Sequence, residues 1–205
     1  MNIFHAINQR ITDLEVLLAD PVKGWLELKP RPDPVKNVLL TMMLPAGLIL
    51  GMSNLVKAWS ASVVTEGALI FFLTYFLLPP VVVFLSAAVV SLIIPGFGGN
   101  KDFSASFRLV AYALLPTILL YTLSVLVGAW TPIIGGLIGF ITFFLGIGIA
   151  TYLLYDGMEI LLAVPERKLG WLLVLITILI TIIAIGLTFT LITFLDAKIY
   201  SGEYL

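Results

Sequence analysis

The side chains that usually move protons near neutral pH are almost missing from this chain. Its 205 residues include one histidine, His5, and no cysteine. A Ser-His-Asp or Cys-His arrangement needs a histidine beside its nucleophile, and His5 has no histidine or cysteine companion to make it a metal ligand. The absence of cysteine excludes disulfides, thiol catalysis and thiolate metal sites. Neither G-x-S-x-G nor H-E-x-x-H occurs, and no pair of carboxylates lies deep in an apolar run. Pro95-Gly-Phe-Gly-Gly-Asn-Lys101 is glycine-rich, yet it matches no phosphate fingerprint and follows an apolar helix rather than a strand. It reads as a turn. The residues assign no catalytic, cofactor-binding or metal-ligating set.

The charges worth attention sit at the ends of the longest apolar stretch. From Leu109 to Tyr155 the chain runs 47 residues without a charge, between Arg108 and Asp156. One membrane crossing takes about 20 residues, so this run holds two. Trp130-Thr131-Pro132 and Gly135-Gly136 interrupt it near the middle, where proline removes a helix donor and glycine costs helix stability. The reading is a hairpin, Arg108–Ala129 and Pro132–Tyr155. Arg108 and Asp156 each lie 24 residues from Pro132. At about 1.5 Å per residue both emerge roughly 36 Å from the turn, just beyond an apolar core of about 30 Å. Glu159 follows Asp156 by three residues and could share the arginine. The charges are either a latch that a partner or lipid headgroup opens, or two separate markers of the membrane boundary.

Broken helices offer a second kind of chemistry, because transporters build substrate sites where helices unwind at the midplane. Pro45, Pro79-Pro80 and Pro116 interrupt apolar runs, but no Asp, Glu, Lys or Arg accompanies them at depth. A small transporter or channel is therefore the alternative reading rather than the leading one. Gly135 with Gly139, and Gly146 with Ala150, repeat a small-xxx-small spacing that suits helix packing within the chain or a contact with a second copy.

The elements that must position these residues follow from composition. Hydrophobic residues make up 60% and charged ones 11%, with mean hydropathy +1.13. So much apolar surface needs lipid as part of its solvent. The net charge of −1 gives nucleic acid no purchase. There is no Asn-x-Ser/Thr sequon, and the first apolar run begins near Val38, too late for a signal peptide. Five spans are expected: Asn37–Val56, Gly67–Ile94, the two arms of the hairpin, and Leu169–Leu195. On the last, Gly170, Thr177, Thr181, Ala184 and Thr188 share a face that should meet the bundle.

Before the spans, Ile3, Ile7, Ile11, Leu14 and Leu18 recur at helical spacing, widened by Phe4 and Leu17, while Asn8, Arg10, Asp13 and Glu15 lie elsewhere on the helix. This amphipathic helix lies on the membrane, docks a partner, or packs on the bundle's own end. Asp20-Pro21 is an N-cap followed by proline at the first helical position. The short helix it starts would hold Trp25, Leu26 and Leu28 at the lipid headgroups. The alternating prolines from Lys29 to Pro34 stiffen a spacer. With the N-terminus inside, nine Lys and Arg fall on cytoplasmic segments and two, Lys57 and Lys198, outside. Trp25 and Trp171 would then mark the inner interface, Trp59 and Trp130 the outer.

Three stretches carry a family resemblance: Asp20-Pro21-Val-Lys-Gly-Trp25, Arg108-Leu-Val-Ala-Tyr-Ala-Leu-Leu-Pro116, and Tyr152-Leu-Leu-Tyr-Asp-Gly157 continuing to Val164-Pro165-Glu-Arg-Lys168. In this order the chain resembles the Yip family of Rab-interacting integral membrane proteins. The resemblance covers nearly the whole chain. It implies five spans, a cytoplasmic N-terminus, and a non-enzymatic role in vesicle traffic through Rab GTPases or partner Yip proteins. The short leader of about 36 residues and the missing Asp-Leu-Tyr-Gly-Pro motif point to a prokaryotic-type member.

The expected protein is all-α: residues 1–36 cytoplasmic, 37–195 a five-span bundle in the cell membrane, and 196–205 an external tail. It needs no cofactor. Its partners would be the lipid bilayer, a protein at the cytoplasmic face and a second copy of itself. Arg108, Tyr112, Pro116, Asp156, Gly157, Glu159 and Pro165 are the candidate interaction and structural residues.

Overall fold

The computed structural model describes residues 3–31, 33–60 and 65–200, and among them every regular element is a helix. Two short helices, α1 (Ile3–Ala19) and α2 (Pro21–Leu28), precede the apolar part. Asp20 caps α2, its carboxylate accepting from the Lys23 amide at 3.1 Å, with Pro21 at the first helical position.

Five helices are long and apolar enough to cross a membrane: Val35–Ser60, Gly67–Phe97, Phe103–Trp130, Pro132–Leu162 and Glu166–Leu191. The first comprises α3 (Val35–Val38), a π turn at Leu39–Met43, and α4 (Leu44–Ser60). The wide turn falls immediately before Pro45, whose nitrogen cannot donate to the preceding turn, so the span widens there instead of breaking. The second comprises α5 (Thr65–Ile93), helical through Pro79 and Pro80, and a 3-10 turn at Ile94–Phe97. Then come α6 (Phe103–Trp130), α7 (Pro132–Leu162) and α8 (Glu166–Tyr200). Pro116 likewise stays inside α6. Among the described residues the spans therefore stay helical through their prolines, with a π turn ahead of Pro45. Helix α8 continues to Tyr200, beyond the membrane boundary expected at Leu195; residues 201–205 lie outside the described set.

The hairpin is the most extensive pairing, α6 on α7. A β-carbon on Gly135 would overlap the Gly128 Cα, so the arms touch backbone to backbone beside the turn. Farther along, the Thr117 hydroxyl donates to the Gly146 carbonyl at 2.9 Å. Gly135 and Gly146 thus serve packing inside the chain. The glycine-rich segment is the turn it was expected to be. Gly98 takes a left-handed φ of 90°, and the Asn100 amide donates to Leu162 O at 2.8 Å, supplying a partner to the carbonyl end of α7.

Helix α8 meets the bundle through Leu169, Leu172, Ile176 and Ile180, all buried, and packs mainly on α5 and α7. Thr177, Thr181, Ala184 and Thr188 turn toward the bundle as expected but are only half-buried, while Gly170 faces outward. The main core concentrates at the end of the bundle that carries α1 and α2, around Trp25, Phe107, Tyr112, Leu153 and Met158.

Candidate functional site

The densest polar chemistry lies where α1 and the proline spacer meet the first and third spans. Arg10 and Asp13, three residues apart on α1, share a face with Ala6 and Leu17, which are both buried. Residues taken from the sequence as the polar side of α1 therefore point into the protein. Ile11 and Leu18, expected in the apolar stripe, are exposed, whereas Leu14 is buried. The Ile3 side chain lies outside the described set.

Arg10 reaches three elements at once. Its guanidinium donates to Asp33 Oδ1 on the spacer at 2.9 Å, to Thr41 Oγ1 in the first span at 3.0 Å, and to the Tyr112 hydroxyl in α6 at 3.0 Å. Asp33 lies between Pro32 and Pro34 in the sequence; proline restricts its own φ and the residue before it, which stiffens the segment presenting that carboxylate. Asp13 is only 6% exposed and would be costly to bury alone. It accepts from Arg31 at 2.8 Å, Gln9 at 3.1 Å and the Tyr112 hydroxyl at 3.1 Å. Tyr112 thus joins the two ion pairs, Arg10–Asp33 and Arg31–Asp13. Burial by itself would lower the Arg10 pKa, but the hydrogen bonds and charges of Asp33 and Tyr112 outweigh it and raise the value. Arg10 stays charged.

Beside this network the Trp25 indole packs edge-on against the Tyr112 ring, centroids 6.0 Å apart, and its N–H donates to the Leu153 carbonyl of α7 at 3.0 Å. Trp25 is fully buried. It is therefore an anchor in the bundle rather than a belt residue, and Leu28 is buried with it; Trp59, Trp130 and Trp171 are exposed. Gly157 makes room for the indole, since a β-carbon there would stand 2.9 Å from Trp25 Cε2 and overlap a Leu109 methyl.

Arg108 Nη1 donates to Leu28 O at 3.1 Å and to Arg31 O at 2.7 Å, giving partners to the last carbonyl of α2 and to one in the spacer. Among the described residues neither Asp156 nor Glu159 forms an ion pair with it. The latch between the hairpin arms is not formed. Asp156 is half-buried, and Glu159 is exposed. The helices do bring those charges to the same end of the bundle, but α2 and the spacer capture the arginine first. Pro116 is buried one turn beyond Tyr112, and Pro165 lies in the last loop against Gly98.

Arg108, Tyr112 and Gly157 therefore converge on α1, α2 and the spacer. Arg10, Asp13, Asp33 and Thr41 complete the cluster and escaped the sequence reading. Their signal was present: Ala6, Arg10, Asp13 and Leu17 recur at intervals of three or four, so two charges lay on a face with apolar neighbours. Tyr112 has no exposed surface, so its bond to a carboxylate cannot meet a substrate. Every charged head in the network has a partner on another element, so the cluster ties α1, the spacer, the first span and α6 together. Among the described residues no three His, Cys, Asp or Glu side chains gather as a metal site.

Five apolar spans with the N-terminal helices keyed into one end define a multi-pass integral membrane protein. The family model of the Yip1 domain matches residues 14–188, and the chain belongs to that family. Comparisons with curated proteins and with solved structures return no match.

Proposed function

We propose that this Yip1-domain protein acts without catalysis, organising membranes or their traffic by binding a protein partner at the cytoplasmic face through α1 and α2. The observation that carries this reading is the two-sidedness of those helices. Leu14, Leu17, Trp25 and Leu28 hold them to the bundle, while Phe4, Ile11, Leu18, Val22 and Leu26 are 45–78% exposed on the outside. Phe4, Ile11 and Leu18 recur every seven residues and so lie along one line of α1. Apolar side chains presented on a rigid support suit an interface in which binding requires little further ordering. The basic asymmetry, nine against two, supports placing this face in the cytoplasm, with the C-terminus on the other side.

The test is affinity capture from native membranes in mild detergent, comparing the wild type with an Ile11→Glu/Leu18→Glu double variant. A protein that accompanies the wild type and is lost from the folded variant supports the reading. Identical companions for both, or solute flux in liposomes containing this protein alone, would overturn it.

A further inference from the structure

All five spans contribute to a cavity of about 410 Å³, within the range of pockets that hold small ligands, about 300–1,000 Å³. It lies well inside the bilayer. Its α6 wall, Leu114 to Tyr121, begins 11 residues after Phe103 and ends 9 before Trp130. At about 1.5 Å per residue those wall residues stand more than ten ångströms from either end of the helix. The cavity opens where the direct packing of α8 stops: Ile180 is buried in the bundle, whereas Ala184, Ile185, Thr188 and Phe189 line the space. A smaller chamber of about 80 Å³ shares Leu114, Thr117, Phe143 and Ala184 with it and extends past Ala150 and Leu154, making the whole elongated.

No charged side chain lines either chamber. The threonine hydroxyls around the larger one are already engaged: Thr117 with Gly146 O, Thr142 with Gly139 O at 3.2 Å, and Thr188 with Ala184 O at 2.8 Å. Beyond these the wall offers a polar solute only the Tyr121 hydroxyl, far too little to replace its water. The Thr177 hydroxyl, buried without a partner, belongs to the smaller chamber, which has room for a water. An elongated apolar space that is partly open, at hydrocarbon depth, matches one molecule present there in excess.

We propose that this cavity is a binding site for one acyl chain of a bilayer phospholipid, which fills the gap between α6 and α8. The ligand is recognised by shape and apolar contact alone, so the site discriminates chain length and unsaturation rather than headgroup. This inference does not rest on the partner reading.

The experiment uses the full chain in detergent micelles, titrated with a phosphatidylcholine that carries a photoactivatable diazirine in its acyl chain. Mass spectrometry of the crosslinked protein should find saturable labelling at Thr117, Phe143 and Ile185, competed by unlabelled phosphatidylcholine in detergent micelles. Ala184→Phe, which places a ring in the space, should reduce that labelling at least fivefold and leave the lipid-facing Phe140 and Ile182 labelled as before. Ala184→Leu serves if the phenylalanine variant fails to fold, with a smaller loss expected. Competition by palmitate but not by phosphatidylcholine would overturn the phospholipid assignment. Labelling that does not saturate, or that Ala184→Phe and Ala184→Leu leave unchanged, would mean bulk lipid only and would refute the site.

Discussion

Replacing Tyr112 by phenylalanine removes one oxygen from the junction of two ion pairs and changes little else. The ring remains to pack on Trp25, so the aromatic contact at 6.0 Å and the filled volume survive. What disappears is one bond received from Arg10 at 3.0 Å and one given to Asp13 at 3.1 Å. Hydrogen bonds to charged groups contribute about 1.5–3 kcal/mol each. Arg10 keeps Asp33 and Thr41, and Asp13 keeps Arg31 and Gln9, which reduces the combined effect. The expected loss is about 2–3 kcal/mol, roughly a 30- to 140-fold rise in the open population of α1. The assay is maleimide labelling of a cysteine at Ala6, which is 6% exposed when α1 is docked, on purified protein in detergent. Tyr112→Phe should accelerate labelling by about that factor and lower the midpoint of unfolding in SDS. Labelling at the wild-type rate would show that the hydroxyl does not hold α1, and the role given to Tyr112 would be wrong.

Gly157→Ala should destabilise the protein by about 1–3 kcal/mol in the same SDS titration, because the new methyl meets the Trp25 indole that anchors α2. Arg108→Gln should cost about 1–2 kcal/mol while Asp156→Asn is nearly silent, and exchanging the two charges should not rescue the arginine variant, since its partners are the carbonyls of Leu28 and Arg31; recovery in the swap would restore the latch. Arg10 has a raised pKa, so its contribution is complete below the ordinary arginine range and falls only as pH climbs through the raised value; protection of a cysteine at position 6 by this ion pair should be the same at about pH 7 and about pH 9. In intact cells a cysteine at Ser60 should react with an impermeant maleimide and one at Ser104 only after permeabilisation, as the basic asymmetry requires.

The five spans and the hairpin turn were legible because each rests on a property of a continuous segment. A run of apolar residues long enough to cross a bilayer can satisfy its backbone only as helix, and Asp20-Pro21 states a helix start through its own chemistry. The prolines were legible as interruptions, but not in their outcome. Whether a missing amide breaks a helix or is absorbed by a π turn, as ahead of Pro45, depends on neighbouring helices holding the segment in place.

The charges belonged to tertiary structure altogether. Arg108 and Asp156 were placed correctly at one end of the hairpin, and nothing local said that α2 would offer carbonyls to the arginine first. Trp25 looked like an interfacial residue because tryptophan is amphipathic; the Leu153 carbonyl, which takes its N–H, and the space left by Gly157 turned it into an anchor. Arg10 and Asp13 looked like a solvated face because charges are usually hydrated. They are buried because Asp33, Arg31, Thr41 and Tyr112, scattered between positions 31 and 112, converge on them. Sequence by itself determined which segments meet lipid, since hydropathy is additive along the chain. Tertiary structure decided which polar groups are inside, since a charge can be buried only where other elements bring its partners.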